Sequence, residues 1–271
     1  MRWLAAVELL RSRREPGVLV TLTSVRGHAP REAGAKMVVG QDRTWDTVGG
    51  GNLEAEAVQR ARVMIDAGTT TPESFGSRLS DRALARHGVQ CCGGEVTLLL
   101  EPLAVVPAVA VFGMGHVGHE LARILARHDL DLHLVDTRET QLREEMLAPL
   151  ADADARVHTH PVPALPEMVL PTLPPGTHVL VMTHDHAEDA AIVDAALRRA
   201  DLATIGLIGS STKWTRLSAR LLEAGHTDDD LARVVTPVGL PSVPGKDPAS
   251  IAVGVAADLL VRIGARSGAH P

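Results

Sequence analysis

The sequence predicts an α/β fold, with a C-terminal Rossmann-like doubly wound parallel sheet preceded by a smaller α+β domain. In the second half of the chain, apolar strand segments alternate with helical segments, which is typical of a parallel sheet covered on both faces. A glycine-rich turn follows the first strand of that half. In the first half, short strand segments separated by turns favour an antiparallel sheet. Pro102 and Pro107 mark the boundary, so we expect domains at 1–104 and 105–271.

Composition excludes several classes of protein. Of 271 residues, 45% are hydrophobic and 22% are charged, as in ordinary globular domains. The net charge of −6 provides no basic field, so we expect neither nucleic acid nor a membrane as partner. Because the chain has no tyrosine, dehydrogenases that use a Tyr–Lys pair are excluded. Glu8, Arg11 and Arg13 interrupt any signal-peptide core, and we expect a cytoplasmic protein.

Hydrophobic periodicity and turn residues predict the individual elements. In the first half we expect helices at 3–13 and about 53–67, the second with Asn52 as its N-cap, and strands at 18–25, 36–39, 44–48 and 96–100. In the second half we expect strands at 108–112, 131–135, 155–159, 177–182 and 203–208. The helices of this half run from the glycine turn to about 127, from 187 to about 200, over 213–224 and from 248 to about 263.

The segment Gly113-Met114-Gly115-His116-Val117-Gly118 lies between a strand and a helix, and Asp136 ends the next strand. In this context Gly113 permits the tight turn, Gly115 lets the backbone approach a phosphate, and Gly118 lets the helix pack close to the strand. The helix N-terminus adds N–H donors, and Asp136 is a candidate acceptor for a ribose hydroxyl. The segment therefore predicts an anion or nucleotide site, the alternative being glycines that serve packing alone.

Two further segments follow strands of the same sheet. His184-Asp185-His186 comes after the strand predicted next to the glycine turn, so both histidines are expected to face that turn across a pocket near His116. They are candidate ligand or metal contacts, or else a polar helix entry capped by Asp185. The other segment, Gly209 to Lys213, offers Ser210, Ser211 and Lys213 to an oxyanion, or else ordinary N-capping.

The adjacent pair Cys91-Cys92, flanked by Gln90 and Gly93-Gly94, is the notable feature of the first half. Neighbouring cysteines rarely pair with each other because the ring is strained, so we expect reduced thiols. Thiolates are soft metal ligands and good nucleophiles, whereas two core cysteines are the structural alternative. Gly49-Gly50-Gly51 before a helix is either an anion-binding nest or a turn with a helix cap.

Taken in order, eight segments resemble the xanthine dehydrogenase accessory protein family of the XdhC/CoxI type. They are residues 27–37, 48–54, 90–94, 113–118, 135–138, 183–186, 208–213 and 236–240. The resemblance covers nearly the whole chain. The stretch 85–89 before Gln90 and the shortened Lys246-Asp247 depart from the family pattern.

The resemblance implies a chaperone that has no turnover of its own and that carries the molybdenum cofactor, molybdopterin with its metal, to a molybdenum hydroxylase apoenzyme. It further implies that the cofactor is sulfurated while it is held, with a cysteine desulfurase as partner, and that the chain forms a homodimer. On this interpretation Cys91 and Cys92 hold the molybdenum end. Gly113, Gly115, His116, Gly118, Asp136, His184, His186, Ser210, Ser211 and Lys213 then bind the anionic end or a nucleotide.

An NAD(P)-dependent oxidoreductase is the alternative that the glycine motif alone supports. It would use the Rossmann half and bind NAD(P) or another nucleotide at residues 113–118. It leaves the first half of the chain, with its cysteine pair, without a role.

Overall fold

The structure divides the chain into two compact units. This computed structural model describes residues 1–78 and 94–266. One unit comprises the described residues up to 105 together with 264–266, and the other comprises 106–263. The predicted fold class is confirmed, because an antiparallel sheet occupies the first unit and a parallel sheet the second. That 1–104 and 105–271 fold as separate domains stays a prediction.

The first unit is a five-stranded antiparallel sheet with a helix on each face. Its elements are α1 (Trp3–Arg13), β1 (Gly17–Arg26), β2 (Lys36–Gly40), β3 (Thr44–Asp46), α2 (Gly51–Asp66), β4 (Glu73–Arg78) and β5 (Glu95–Leu103). The strand order is β3-β2-β1-β5-β4. Because side chains alternate along a strand, Val18 and Val20 pack with α2, whereas Leu19 packs with α1. The strand β4 lies in a stretch for which the sequence predicted no element.

Asn52 does not cap α2 as predicted. The N-cap is Gly50, and Asn52 lies inside the first turn. The carboxylate of Glu54 reaches back instead, accepting from the N–H groups of Val48 at 3.2 Å and Gly50 at 3.1 Å and from the hydroxyl of Thr47. One carboxylate in the first turn of the helix thus fixes the glycine-rich turn that precedes it.

The second unit is a six-stranded, all-parallel sheet. Its strands are β6 (Ala108–Phe112), β7 (Asp131–Asp136), β8 (Arg156–Pro161), β9 (His178–Val181), β10 (Thr204–Leu207) and β11 (Val234–Val235). Its helices are α3 (His116–Leu125), α4 (Glu144–Leu147), α5 (His186–Leu197), α6 (Ser211–Glu223), α7 (Asp228–Leu231) and α8 (Pro248–Arg266). The sequence predicted five of these strands to within a few residues. It missed the short elements α4, α7 and β11 and placed the ends of α3 and α5 too late.

The order β8-β7-β6-β9-β10-β11 is that of a dinucleotide-binding Rossmann sheet. The chain turns from one side to the other between β6 and β9, which pair from Val109 with His178 to Phe112 with Val181. Helices α3 and α8 pack on one face, and α5 and α6 on the other. The carboxyl ends of β6, β7, β9 and β10 therefore form one edge, from which the predicted site segments project.

The helix α8 is long and apolar enough to cross a membrane by length and hydropathy, with an 18-residue window of mean hydropathy 1.5. Ala252, Val255 and Leu259 nevertheless lie in the hydrophobic core that also contains residues of β6 and α3. Arg262 pairs with Asp258 at 3.0 Å in the middle of the helix. These contacts are those of a core helix of the second unit.

Candidate functional site

The glycine turn between β6 and α3 uses each glycine differently. Gly113 has φ +103°, and a methyl group there would lie 2.5 Å from the carbonyl oxygen of Met182. A methyl group on Gly118 would overlap the carbonyl oxygen of Gly113, so the helix packs directly on the turn. Gly115 faces open space. It is also the N-cap of α3, and no side chain caps that helix. Backbone access at Gly115 is the geometry that an approaching phosphate needs.

Asp136, at the end of β7, is buried and fully engaged. Its Oδ2 accepts from the N–H of Met114 at 2.6 Å and from Nη2 of Arg138 at 2.9 Å. Its Oδ1 accepts from the N–H and the Nε of Arg138, at 2.8 and 2.9 Å. Burial by itself would raise the pKa of Asp136, but the hydrogen bonds from Arg138 and Met114 outweigh it and lower that pKa.

A carboxylate has about four lone-pair sites, and all those of Asp136 are in use. The predicted acceptance of a ribose hydroxyl by Asp136 would therefore require Arg138 to move away. Beside this pair, the hydroxyl of Thr137 donates to Glu188 at 2.9 Å, which adds a second carboxylate near Arg138. The β7 side of the edge thus holds two carboxylates and one guanidinium.

The segment 183–186 forms the entry to α5. Asp185 is the N-cap, and its Oδ1 accepts from the N–H of Ala187 at 2.6 Å. Those backbone hydrogen bonds, from Ala187 and Glu188, lower the pKa of Asp185. His184 and His186 are both exposed, the side chain of His186 to 81%. The interpretation as a capped polar helix entry is therefore realised, and His186 in addition lines a cavity.

That cavity has a volume of about 280 Å³ and lies at the start of α6; we call it the α6 cavity. Ser210 caps α6 by accepting from the N–H of Lys213 at 3.3 Å. The residues that line the cavity share polar or cationic character, apart from the apolar wall provided by Leu217. They are His186, Ser210, Thr212, Lys213, Arg216 and Arg220.

Lys213 does not extend into solvent. Its Nζ lies 2.5 Å from Oδ2 of the fully buried Asp189 and donates to the carbonyl oxygen of Ile208 at 3.1 Å. Asp189 also accepts from the hydroxyl and the N–H of Thr183, at 2.8 and 3.2 Å. The contact between Lys213 and Asp189 is an ion pair without good hydrogen-bond direction. It joins the ends of β9 and β10 through α5 and α6.

His116 lies elsewhere. It is exposed and lines a cavity of about 550 Å³, the α3 cavity, together with His119, Arg123 and three carboxylates, those of Glu120, Glu145 and Asp247. Gln141 is hydrogen-bonded to His119 at 3.1 Å. The structure therefore places His116 and His186 in different cavities, contrary to the predicted grouping in one pocket.

Within the first unit, three segments of the family resemblance converge. A methyl group on Gly94 would overlap the carbonyl oxygen of His28. One on Gly49, which has φ +133°, would lie 3.3 Å from Cβ of Pro30. The loop of residues 27–35 therefore packs between the glycine turn before α2 and Gly94. Cys91 and Cys92 lie outside the described residues.

No group of three or more His, Cys, Asp or Glu side chains that could hold a metal ion occurs within residues 1–78 and 94–266. Among the described residues, no third ligand therefore accompanies His184 and His186 in the metal site that the sequence suggested. The sequence interpretation also missed Arg216 and Arg220 of the α6 cavity. Their spacing from Lys213, by three and seven residues, was the available signal, because it places all three on one helix face.

Comparisons with known proteins cover both units. The family model described as the XdhC Rossmann domain matches residues 109–259, and the model of the XdhC and CoxI family matches residues 10–76. The molybdenum cofactor insertion chaperone PaoD of Escherichia coli (strain K12) is 28% identical over 265 residues, covering 87% of this chain and 80% of PaoD.

Two more similarities have lower sequence identity. The uncharacterized protein YqeB of Escherichia coli (strain K12) is 24% identical over 249 residues, covering 90% of this chain but only 43% of YqeB. This chain thus spans less than half of that relative. A structure described as a xanthine dehydrogenase from Bacillus halodurans is 20% identical, with a TM-score of 0.49, and covers 98% of this chain and 97% of that chain. The two family models show that this chain belongs to the XdhC and CoxI family.

Proposed function

We propose that this chain is a chaperone that holds the molybdenum cofactor and inserts it into a molybdenum hydroxylase of the xanthine dehydrogenase or CO dehydrogenase type. The observation that carries the proposal is the likeness to the insertion chaperone PaoD, which extends over 87% of this chain and so over both units. The described residues of the edge support a binding role, because they offer an open backbone turn at Gly115 and a cationic cavity at α6.

The thiolates of Cys91 and Cys92 are the proposed ligands of the molybdenum end. Sulfur donors match molybdenum in softness, and the two glycines that follow the pair in sequence are the residue type that lets a large ligand approach the backbone. The packing of Gly94 against His28 supports a built site, since it ties the end of this motif to the loop of residues 27–35, which carries Arg31.

The second unit is proposed to take the anionic end of the cofactor. Gly113, Gly115 and Gly118 shape the open turn, and His184, His186, Ser210, Ser211 and Lys213 follow neighbouring strands at the same edge. Asp136 contributes by fixing the turn through the N–H of Met114 rather than by accepting from the ligand. His116, in the α3 cavity, is the predicted contact with the least geometric support.

The finer features of the role are proposals of the same kind. They are sulfuration of the cofactor while it is held, contact with a cysteine desulfurase, a homodimer, and a location in the cytoplasm without a membrane or nucleic acid partner. NAD(P) binding is the competing use of the glycine turn, and the commitment of Asp136 to Arg138 gives it no support.

Expression of this chain in a molybdenum-replete host tests the proposal. The full chain, purified without oxygen, would be assayed for molybdenum by mass spectrometry and for oxidised pterin by fluorescence. We expect near-stoichiometric amounts of both, and strong loss of molybdenum in the variant Cys91→Ser/Cys92→Ser, whose fold is checked by circular dichroism. A wild-type chain with neither signal, and with a bound dinucleotide instead, would overturn the proposal in favour of the oxidoreductase.

A further inference from the structure

We propose that the α6 cavity is a phosphate-binding site in which the guanidinium groups of Arg216 and Arg220 contact the anion. The cavity is lined by three cationic side chains, those of Lys213, Arg216 and Arg220, and no Asp or Glu is among its described lining residues. Arginine is the side chain best suited to bind phosphate oxygens through two parallel hydrogen bonds.

Arg216 and Arg220 differ from one arginine in each of three other helices and from the arginine at the C-cap of α5. Each of those four pairs with a carboxylate three or four residues earlier in the chain: Arg60 with Glu56, Arg123 with Glu120, Arg198 with Asp194, and Arg262 with Asp258. In α6 the corresponding neighbours of Arg220 are Arg216 and Leu217, and neither arginine forms an ion pair with a described residue. Like charges four residues apart destabilise a helix, and a bound anion would remove that penalty.

Because Lys213 neutralises Asp189, the positive charges of Arg216 and Arg220 remain available to an anion in the cavity. The ammonium group of Lys213 does so beneath the cavity, and the side chain of this lysine is only 16% exposed. Without Lys213, the carboxylate of Asp189 would oppose an anion in the cavity. Lys213 is thus a positioning residue, and the charge presented to a ligand comes from Arg216 and Arg220.

Backbone donors complete the site. Ser210 accepts from the N–H of Lys213. The first-turn N–H groups of Ser211 and Thr212 have no protein acceptor among the described residues, as expected at a helix start. The α3 cavity provides the contrast, since its one arginine faces three carboxylates. Of these two cavities, only the α6 cavity has the charge to hold an anion.

The ligand class is a phosphate monoester, and the choice of molybdopterin, which carries one, rests on the proposed function. Of the residues predicted at this edge, those at α6 would receive the phosphate of the cofactor, and Asp136 with Arg138 would not. Free inorganic phosphate has the same chemistry, so the two sources must be separated by experiment.

The site is tested first with inorganic phosphate alone. Two-dimensional NMR spectra of the ¹⁵N-labelled full chain would be recorded during a phosphate titration at constant ionic strength. We expect the amide signals of Ser211 and Thr212 to shift, and the double variant Arg216→Ala/Arg220→Ala to bind at least tenfold more weakly. Arg143→Ala is the matched control, because Arg143 is also exposed and unpaired among the described residues but lies outside the cavity. Shifts centred on Gly115, or equal affinity in the double variant, would overturn the site.

The same double variant, loaded in cells, identifies the source of the phosphate. Reduced pterin content in the double variant, with normal content in Arg143→Ala, is the expected result. Unchanged pterin content would overturn the assignment of the cofactor phosphate to this cavity while leaving the proposed chaperone role intact. If the wild-type chain carries no pterin yet binds phosphate at α6, the chaperone proposal fails and the anion site stands.

Discussion

Lys213 and Asp189 form an ion pair beneath the carboxyl edge of the parallel sheet, with 2.5 Å between Nζ and Oδ2. Asp189 is fully buried in the first turn of α5, and Lys213 reaches it from the first turn of α6. The pair holds the starts of two neighbouring helices together at the point where ligands bind in sheets of this kind. Lys213, which the sequence predicts as a ligand for an anion, therefore holds α5 and α6 together through Asp189.

Replacing Lys213 should therefore lower the free energy of unfolding more than a substitution at the start of a helix usually does. In Lys213→Met the buried carboxylate of Asp189 loses its counter-charge, which typically costs about 3–5 kcal/mol. Arg216→Met, on the same helix but exposed, should change the free energy of unfolding by less than about 0.5 kcal/mol. Urea unfolding followed by circular dichroism measures both, and equal stability of the two variants would show that the pair does not support the edge.

The three glycines of the turn before α3 should respond differently to alanine. Gly118→Ala and Gly113→Ala introduce a methyl group against backbone atoms, and Gly113 has positive φ as well, so each should lose about 1–3 kcal/mol or more. Gly115→Ala places its methyl group in open space and should lose less, about 0.5–1 kcal/mol, because alanine is a poorer N-cap than glycine. Thermal unfolding compares the three. If Gly115→Ala nonetheless loads less cofactor than the wild type, the turn contacts the ligand. A Gly115→Ala variant as unstable as Gly118→Ala would contradict the roles assigned to the three glycines.

Asp136 should matter more for stability than an exposed acid with the same kind of partner. Asp136→Asn weakens charged hydrogen bonds to Met114 and Arg138, which are typically worth about 1.5–3 kcal/mol each when charged. Asp152→Asn removes an exposed pair with Arg127 and should leave stability nearly unchanged. Because the pKa of Asp136 is lowered in the fold, its contribution is present above the unfolded pKa of about 3.9 and is lost as pH falls through the folded value. Chemical unfolding at pH 7 compares the two variants, and a series of measurements below about pH 3.9 follows the loss of the Asp136 contribution. Similar losses in the two variants, or no fall in the wild-type contribution below that pH, would contradict these expectations.

The strand β8 should make the second unit sensitive to acid. His133 on β7 stacks on His158 and lies 3.1 Å from His160, measured between Nδ1 and Nε2. Burial, and then the charge of His158, lower the pKa of His160. The unfolded chain, with a histidine pKa of about 6.5, therefore binds the proton first, and stability falls as pH drops below that value.

The variant His160→Gln should flatten this dependence. We expect a smaller drop in melting temperature between pH 7.5 and pH 5.5 than in the wild type. The exposed His184, changed to Gln, is the control and should leave the drop unchanged. An identical pH profile for His160→Gln and wild type would exclude His160 as a source of the acid sensitivity.

The Rossmann half could be predicted from sequence because its signals are local. Gly113, Gly118 and Asp136 keep fixed spacings along strand–turn–helix units, and those units dictate where each residue lies. Short edge elements such as β11 and α7 carry too few residues for a periodic pattern. The expected N-cap at Asn52 failed because the longer side chain of Glu54 satisfies the donors of that turn.

The site could be predicted only in part, because its decisive contacts join residues distant in sequence. Asp189 meets Lys213 across 24 positions, and only the packing of α5 against α6 reveals it. Arg138 lies two residues from Asp136, yet its occupation of that carboxylate depends on a side-chain conformation that spacing does not fix. The cavities that separate His116 from His186 likewise follow from tertiary packing.

Transfer of cofactor between proteins tests the central claim most directly. The loaded chain, prepared without oxygen, would be mixed with a molybdenum-free xanthine dehydrogenase-type apoenzyme, and molybdenum would be measured in each protein after separation, alongside hydroxylase activity. We predict that molybdenum leaves this chain and that activity rises in proportion, faster than with the same amount of free cofactor. Molybdenum that stays on this chain, or activation no faster than with free cofactor, would contradict the chaperone account.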